Sequence, residues 1–247
     1  EKLLEEFEKL YFERLAIKGW EKRQRATQMM MESAKLIFES ILKKSNKLID
    51  SSNLELNDKW WVFEAKPNSG KTTMMIDVLI PVMTSILVKR KIFSIWVLVN
   101  PSSNILKEQC NRLCQQMIDS TDNVRIKLHD TDGAENIRTT IRTIKHDSNF
   151  YKTSSSCIIL TNHAMVNDGF DKSTNKAKGC KPLIKKLLQT IVQNVKYGKK
   201  GYEISLTPLH DECKVSSCSK PEISKYSSKI SFNTNITFMP SIIELYN

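Results

Sequence analysis

The sequence predicts an α/β domain, a parallel sheet with helices on both faces, preceded by a helical segment. Three observations carry this. From Trp60 onward, short apolar runs alternate with longer stretches of helical periodicity, the pattern of βαβ units. The first such run, Trp60-Trp61-Val62-Phe63, leads into a tight polar loop and then a helix pattern. The chain has 247 residues, 40% apolar and 26% charged, which suits one large globular domain or one domain with extensions.

Residues 1–18 set Leu3, Leu4, Phe7, Leu10 and Tyr11 on one stripe of an amphipathic helix, which Gly19 ends. Residues 20–48 carry a longer helix pattern, with Met29, Met30, Ile37, Phe38, Ile41 and Leu42 as core filling. The polar stretch 45–58 reads as a loop. The chain therefore divides into a helical extension, 1–57, and an α/β domain, 58–247. After the first strand, Met74, Met75, Val78, Leu79 and Val82 recur at helical spacing, and Pro81 is expected to kink or stop that helix near Ile80. Residues 92–99 are a buried strand. It ends at Asn100-Pro101-Ser102-Ser103, which opens the next helix.

Residues 124–128 alternate as a third strand, and Ile137, Ile141 and Ile144 mark a helix. Residues 157–161 are a fourth strand. The polar, Lys-rich stretch 168–179 reads as a surface loop or insertion. A helix over 182–195 follows, with Pro182 in its first turn. Residues 202–209 are a fifth strand and 230–238 a last one. In open α/β sheets ligands bind beyond the carboxyl ends of the strands. Four segments fall at such ends: 65–73, 100–103, 161–163 and Asp211-Glu212.

The first of these has the form (Gly/Ala)-x-x-x-x-Gly-Lys-Thr, running from Ala65 through Lys66, Pro67, Asn68, Ser69, Gly70 and Lys71 to Thr72, with Thr73 following. Backbone N–H groups wrapped around a helix N-terminus cradle an anion, and the helix dipole adds to them. Gly70 lets the backbone approach a phosphate closely. Lys71 reaches the β- and γ-phosphates, and the Thr72 hydroxyl suits Mg²⁺. Hydrolysis also needs a carboxylate near the metal and a group that orients water. Asp211 and Glu212 fill those roles if their strand is central, although Pro208 removes a ladder donor there. Asp130 is the alternative acid, with Asp132 two residues on.

The formal net charge is +11, which favours a polyanionic partner, nucleic acid first. The 6 cysteines contain no Cys-x-x-Cys pair and no accompanying paired His spacing, so a zinc site is not expected. Reduced thiols fit an intracellular setting, cytoplasm or nucleus, with a viral or plasmid origin open. No stretch is expected to be long and apolar enough to span a bilayer, and no signal peptide is visible.

These stretches, in this order, resemble the first RecA-like domain of superfamily 2 helicases and translocases. Ala65 to Thr72 looks like their motif I. Leu98-Val99-Asn100-Pro101, with Leu106 and Gln109, is similar to motif Ia. Ile158-Ile159-Leu160-Thr161-Asn162-His163 is similar to their strand that ends in a backbone-contacting Thr, and Asp211-Glu212-Cys213-Lys214 looks like the Asp-Glu-x-x box. The Ser-Ala-Thr of motif III has no clear counterpart, only Ser231-Phe232-Asn233-Thr234 or Asn235-Ile236-Thr237.

The resemblance implies ATP and Mg²⁺ as cofactors, with Lys71, Asp211 and Glu212 catalytic. It implies nucleotide contacts along Ala65 and Pro67 to Thr73, with the metal at Thr72 and Asp211. It implies a nucleic-acid strand, DNA or RNA, along Pro101, Ser102, Ser103, Thr161, Asn162 and His163. The family's second RecA-like domain, which carries its arginine finger, has no counterpart in these residues and would be the partner in a longer chain. The expected function is the ATP-binding half of a helicase or translocase. The alternatives are a nucleic-acid-binding module with a non-hydrolysing loop, or another phosphate-loop motor such as a packaging ATPase or restriction subunit.

Overall fold

The computed structural model describes residues 2–17, 19, 31, 35, 60–65, 71–100, 104–121, 124–131, 133–162, 169–171, 176–178, 181–210 and 228–233. Helix α1 spans Lys2–Ile17. Strand β1, Trp60–Ala65, precedes a long helix α2 built from three segments end to end, Lys71–Met74, Met75–Leu79 and Ile80–Lys89. Then come β2 (Ile92–Asn100), α3 (Asn104–Asp119), β3 (Ile126–Asp130), α4 (Gly133–His146) and β4 (Ser156–Asn162). The short strands β5 (Gly169–Asp171) and β6 (Lys176–Lys178) lead to α5 (Lys181–Gly198), β7 (Glu203–His210) and β8 (Ser228–Asn233). The helix expected over residues 20–48 lies outside the described residues apart from Met31 and Lys35.

Six strands form one sheet in the order β1-β8-β7-β2-β4-β3. β7, β2, β4 and β3 are mutually parallel, which makes the domain α/β. The sheet is not wholly parallel, as expected from sequence, because β8 runs antiparallel to both β1 and β7. Its direction follows from where it starts. β8 begins at the edge where β7 ends, and such a return needs no crossover. Two antiparallel pairings restore direction, so β1 runs the same way as β7. The stretch 168–179 also departs from expectation. It holds a small antiparallel ladder, β5 with β6.

Alternation along β2 explains the two layers of helices. Trp96 and Leu98 face one side, in a core shared with α1, α2 and α3; Phe93, Ile95, Val97 and Val99 face the other, packed on α4 and α5. β2 is apolar on both faces because both are covered. Trp96 is large and carries a donor. Its Nε1 donates to Thr84 Oγ1 of α2 at 3.1 Å, so burial leaves that donor satisfied.

Of the kink or stop expected near Ile80, the stop does not occur: α2 passes through Pro81, with a change of hydrogen-bond step just ahead of it. It continues to Lys89. The Met75–Leu79 segment is π-helical, and the Ile80 N–H donates to the Met75 carbonyl, five residues back. Pro81 has no N–H, so the Asp77 carbonyl lacks its ordinary donor from four residues on. Arg14 of α1 supplies one, with Nε donating at 2.8 Å. The same guanidinium donates to Ser120 at the end of α3, to its carbonyl at 3.1 Å and its Oγ at 2.9 Å. Burial draws the Arg14 guanidinium below its ordinary pKa, and the Asp77 charge opposes that shift.

The segment Thr72–Lys89 is also, by length and composition alone, apolar enough to cross a bilayer, which the sequence reading did not anticipate. Its apolar side chains, Met75 to Ile80 and Met83 to Leu87 among them, are instead buried against β2 and α1.

On the opposite face, Tyr151 and His129 form a buried pair, with the phenol hydroxyl 2.5 Å from Nε2. Burial, with the Lys127 charge second, pushes His129 down to about 4. The neutral ring therefore accepts from Tyr151, whose own pKa burial pushes up.

Two measurements check this packing. Arg14→Leu leaves three acceptors without their donor, and equilibrium urea unfolding should show a loss of about 2–4 kcal/mol. For His129 the unfolded ring titrates near its ordinary value and the folded one near 4. Its contribution is therefore fully present above about pH 6.5 and is lost as pH falls toward 4, by up to about 3 kcal/mol. Urea midpoints across this window should fall with pH, and the slope should flatten in His129→Leu.

Candidate nucleotide site at the carboxyl edge of the sheet

Because β1, β2, β3, β4 and β7 share one direction, their carboxyl ends lie along one edge. Those ends are Ala65, Asn100, Asp130, Asn162 and His210. Register fixes their relative height. Val62 pairs with Ser231, Ser231 with His210, His210 with Val99, and Val99 with Thr161. These five residues form one row across the sheet, and each chain leaves the sheet shortly beyond it.

Ala65 closes β1 and Lys71 opens α2, so only residues 66–70 connect strand to helix. Pro67, Asn68, Ser69 and Gly70 lie outside the described residues. Lys71 is the first residue of the helix, and Thr72 and Thr73 are half-buried in its first turn. No acidic residue stands in that turn. A first turn free of carboxylates leaves its N–H groups and the positive end of the helix dipole open to an anion. β1 thus leads, after five residues, to a helix head that carries no acidic residue.

Asp211 and Glu212 lie outside the described residues, immediately after β7. β7 itself answers the objection raised by Pro208. Its ladder to β2 runs from Glu203 to His210, but its ladder to β8 covers only Leu209 and His210. Among the described residues, β7 as far as Pro208 pairs on one side only, where a missing N–H is tolerated. β1 and β7 stand two strand spacings apart, about 10 Å.

Asp130, the alternative acid, does not join this site. It ends β3 at the far border of the sheet, five strand spacings from β1, about 24 Å. Its carboxylate is held instead by α3. Lys107 Nζ lies 3.1 Å from Oδ1, and Asn111 Nδ2 donates to Oδ2 at 3.5 Å. Thr131 then ties the turn to β4, with its N–H and Oγ1 both donating to the Leu160 carbonyl. The sequence carried a signal for this pair that the motif reading passed over. Lys107 occupies the same helical stripe as the buried Cys110, Cys114 and Met117, and a cation on an apolar stripe needs a carboxylate. Asp132 lies outside the described residues.

Of the residues assigned to a nucleic-acid strand, Pro101, Ser102, Ser103 and His163 lie outside the described residues. Asn162 pairs through its backbone with Asn100. Thr161 is fully buried, and its Oγ1 finds no hydrogen-bond partner among the described residues. Gln109 of the motif Ia pattern is exposed on α3. Among the described residues no three His, Cys, Asp or Glu side chains gather as a metal site. No family model, curated protein or solved structure matches this chain.

Proposed function

We propose that this chain is the nucleotide-binding half of a nucleic-acid-dependent ATPase of the helicase or translocase kind. One observation carries the reading. The strand that leads into Lys71 and the strand that leads into Asp211-Glu212 run in the same direction, end at the same edge and are separated by a single strand. A phosphate chain with its metal ion can bridge a gap of about 10 Å.

When bound, ATP with Mg²⁺ would supply the γ-phosphoryl group that is transferred to water, with ADP as the leaving group. The residues of the chain would do the rest. The N–H groups of 66–73 hold the phosphates, and Lys71 neutralises them. Thr72 and Asp211 are the metal-side oxygens, and Glu212 orients the attacking water and takes its proton. β2 and β4, which end at Asn100 and Asn162, lie on the far side of β7 from this gap, and a nucleic-acid backbone would run along the residues assigned to it from sequence, Pro101 to Ser103 and Asn162-His163. Thr161 enters that surface only if its buried hydroxyl turns outward. Rapid hydrolysis would need a second domain to complete the site, as the resemblance implies.

Lys71→Ala should weaken nucleotide binding by at least about tenfold, since one phosphate–ammonium contact is removed from a charge-assisted set. Titration with a fluorescent ATP analogue measures it, and equal affinity in the variant would rule out the phosphate loop. Glu212→Gln keeps the size of the side chain and removes its basicity. In a chain that turns over ATP it should leave nucleotide affinity within about twofold and lower turnover by about 100-fold or more. Phosphate release measured with both proteins would decide whether Glu212 orients water.

A further inference from the structure

The opposite edge of the sheet has a chemistry of its own. There α2, α4 and α5 end, and short turns feed β2, β4 and β7. Hydrogen bonds join the three turns into one surface. The Glu203 N–H donates to the Lys91 carbonyl at 2.9 Å, which ties the turn after α5 to the turn after α2. Asn194 of α5 donates to the Ile144 and Asp147 carbonyls at 3.0 and 2.7 Å, which ties α5 to the turn after α4.

On these turns stand Arg90, Lys91, Lys152, Lys196, Lys199 and Lys200. None of the six has a carboxylate within ion-pair distance among the described residues. Their acidic neighbours are the exposed Asp147 and the half-buried Glu203. Cations in the last turn of a helix complement its dipole, and that accounts for Lys196. It does not account for Arg90, Lys91, Lys199 and Lys200, which lie beyond the ends of α2 and α5, or for Lys152, which lies in the turn after α4.

Aromatic rings are interleaved with the charges. The run is Lys196-Tyr197-Gly198-Lys199-Lys200-Gly201-Tyr202. Tyr197 is 69% exposed, an unusual place for a large ring, and Lys199 Nζ stands 4.7 Å from the centre of the Tyr202 ring. Gly201 holds φ at 77°, which turns the chain back toward β7. Cations without carboxylate partners beside an open ring are what a single-stranded nucleic acid requires, phosphates on the lysines and a base on Tyr197, while Tyr202 packs on the core and holds Lys199 over its face. A membrane surface would call for an apolar helix face beside the charges, and Tyr197 is the one large exposed apolar side chain on these turns among the described residues.

We propose that the turn 196–202, with Arg90, Lys91 and Lys152 beside it, is a binding surface for single-stranded nucleic acid on the amino edge of the sheet. It is separate from the nucleotide loop and does not rest on that reading.

The test is fluorescence anisotropy of the full chain, without nucleotide, using labelled oligo-dT and oligo-U of about 20 nucleotides across a salt series. Reversing Lys196→Glu, Lys199→Glu and Lys200→Glu together should weaken binding at least about tenfold and make the salt slope shallower by about 2. Tyr197→Ala should weaken binding about five- to tenfold with the slope unchanged. A control with the same charge change on α1 and α3, Lys2→Glu, Lys9→Glu and Arg112→Glu, should lose far less. If the reversed chain fails to fold, the Lys→Gln triple carries the same comparison. Parent-like affinity in either lysine variant, or an equal loss in the control, would overturn the surface. Parent-like affinity in Tyr197→Ala, or binding to phosphatidylserine vesicles with none to the oligonucleotides, would overturn the single-strand assignment.

Discussion

The structure depends on how α2 survives its own proline. This helix starts at Lys71, covers one face of β2 and is buried along nearly its whole length. Pro81 lies in its middle, where a missing N–H and a ring clash would ordinarily end or kink a helix at a cost of about 3 kcal/mol. Two local devices offset that. The π-turn at Met75–Leu79 lengthens the hydrogen-bond step ahead of the proline, and Arg14 gives the Asp77 carbonyl a donor from outside the helix. Arg14 also holds the end of α3 through Ser120, so three helices on one face are referenced to a single guanidinium. A planar group with several fixed donors can do this, and a lysine could not. The head of α2, where Lys71 stands, is therefore positioned by contacts made far from it.

Much of the fold was legible because α/β sequences advertise themselves. The runs at residues 92–99 and 157–161 are apolar on both faces, and only a strand covered twice needs that. The amphipathic pattern of Ile137, Ile141 and Ile144 fixes α4 in the same way. Strand direction was less legible. β8 carries nothing in its side chains that marks it as antiparallel, because direction is set by where the preceding connection returns the chain. Whether the helix would stop or continue at Pro81 was undecided in the sequence for a related reason. Local propensity says stop, and the donor that overrules it comes from Arg14, 63 residues away in sequence.

The common edge of the strand ends was legible in the sequence, since alternating strand and helix patterns imply parallel strands. Parallel pairing and the register from Val62 to Thr161 bring the strand ends Ala65, Asn100, Asn162 and His210 to one border. What spacing alone does not reveal is which way a residue at that border faces. Asp130 reads as a plausible acid at a strand end until Lys107 and Asn111 are seen to hold it. Thr161 reads as a contact residue, yet alternation puts its side chain on the face that α4 and α5 cover, with Ile159 and Cys157. Sequence periodicity gives the face only when its covering layer is already known.

The two edges of the sheet differ because every helix of the α/β unit points the same way. At the carboxyl edge α2, α3 and α4 begin, and their amino ends carry partial positive charge that suits a phosphate and disfavours spare cations. Lys107, on α3 near that edge, accordingly has a carboxylate beside it. At the amino edge α2, α4 and α5 end, and their carbonyl ends carry partial negative charge. That field lowers the repulsion among cations gathered there, though it falls off within about one turn. Arg90, Lys91, Lys152, Lys199 and Lys200 sit just past its reach, near enough to be tolerated and far enough to keep their charge for another partner. A chain with a net charge of +11 must put its surplus somewhere, and helix polarity makes this edge the least costly place. The same polarity that would suit one edge to a small anion lets the other gather cations.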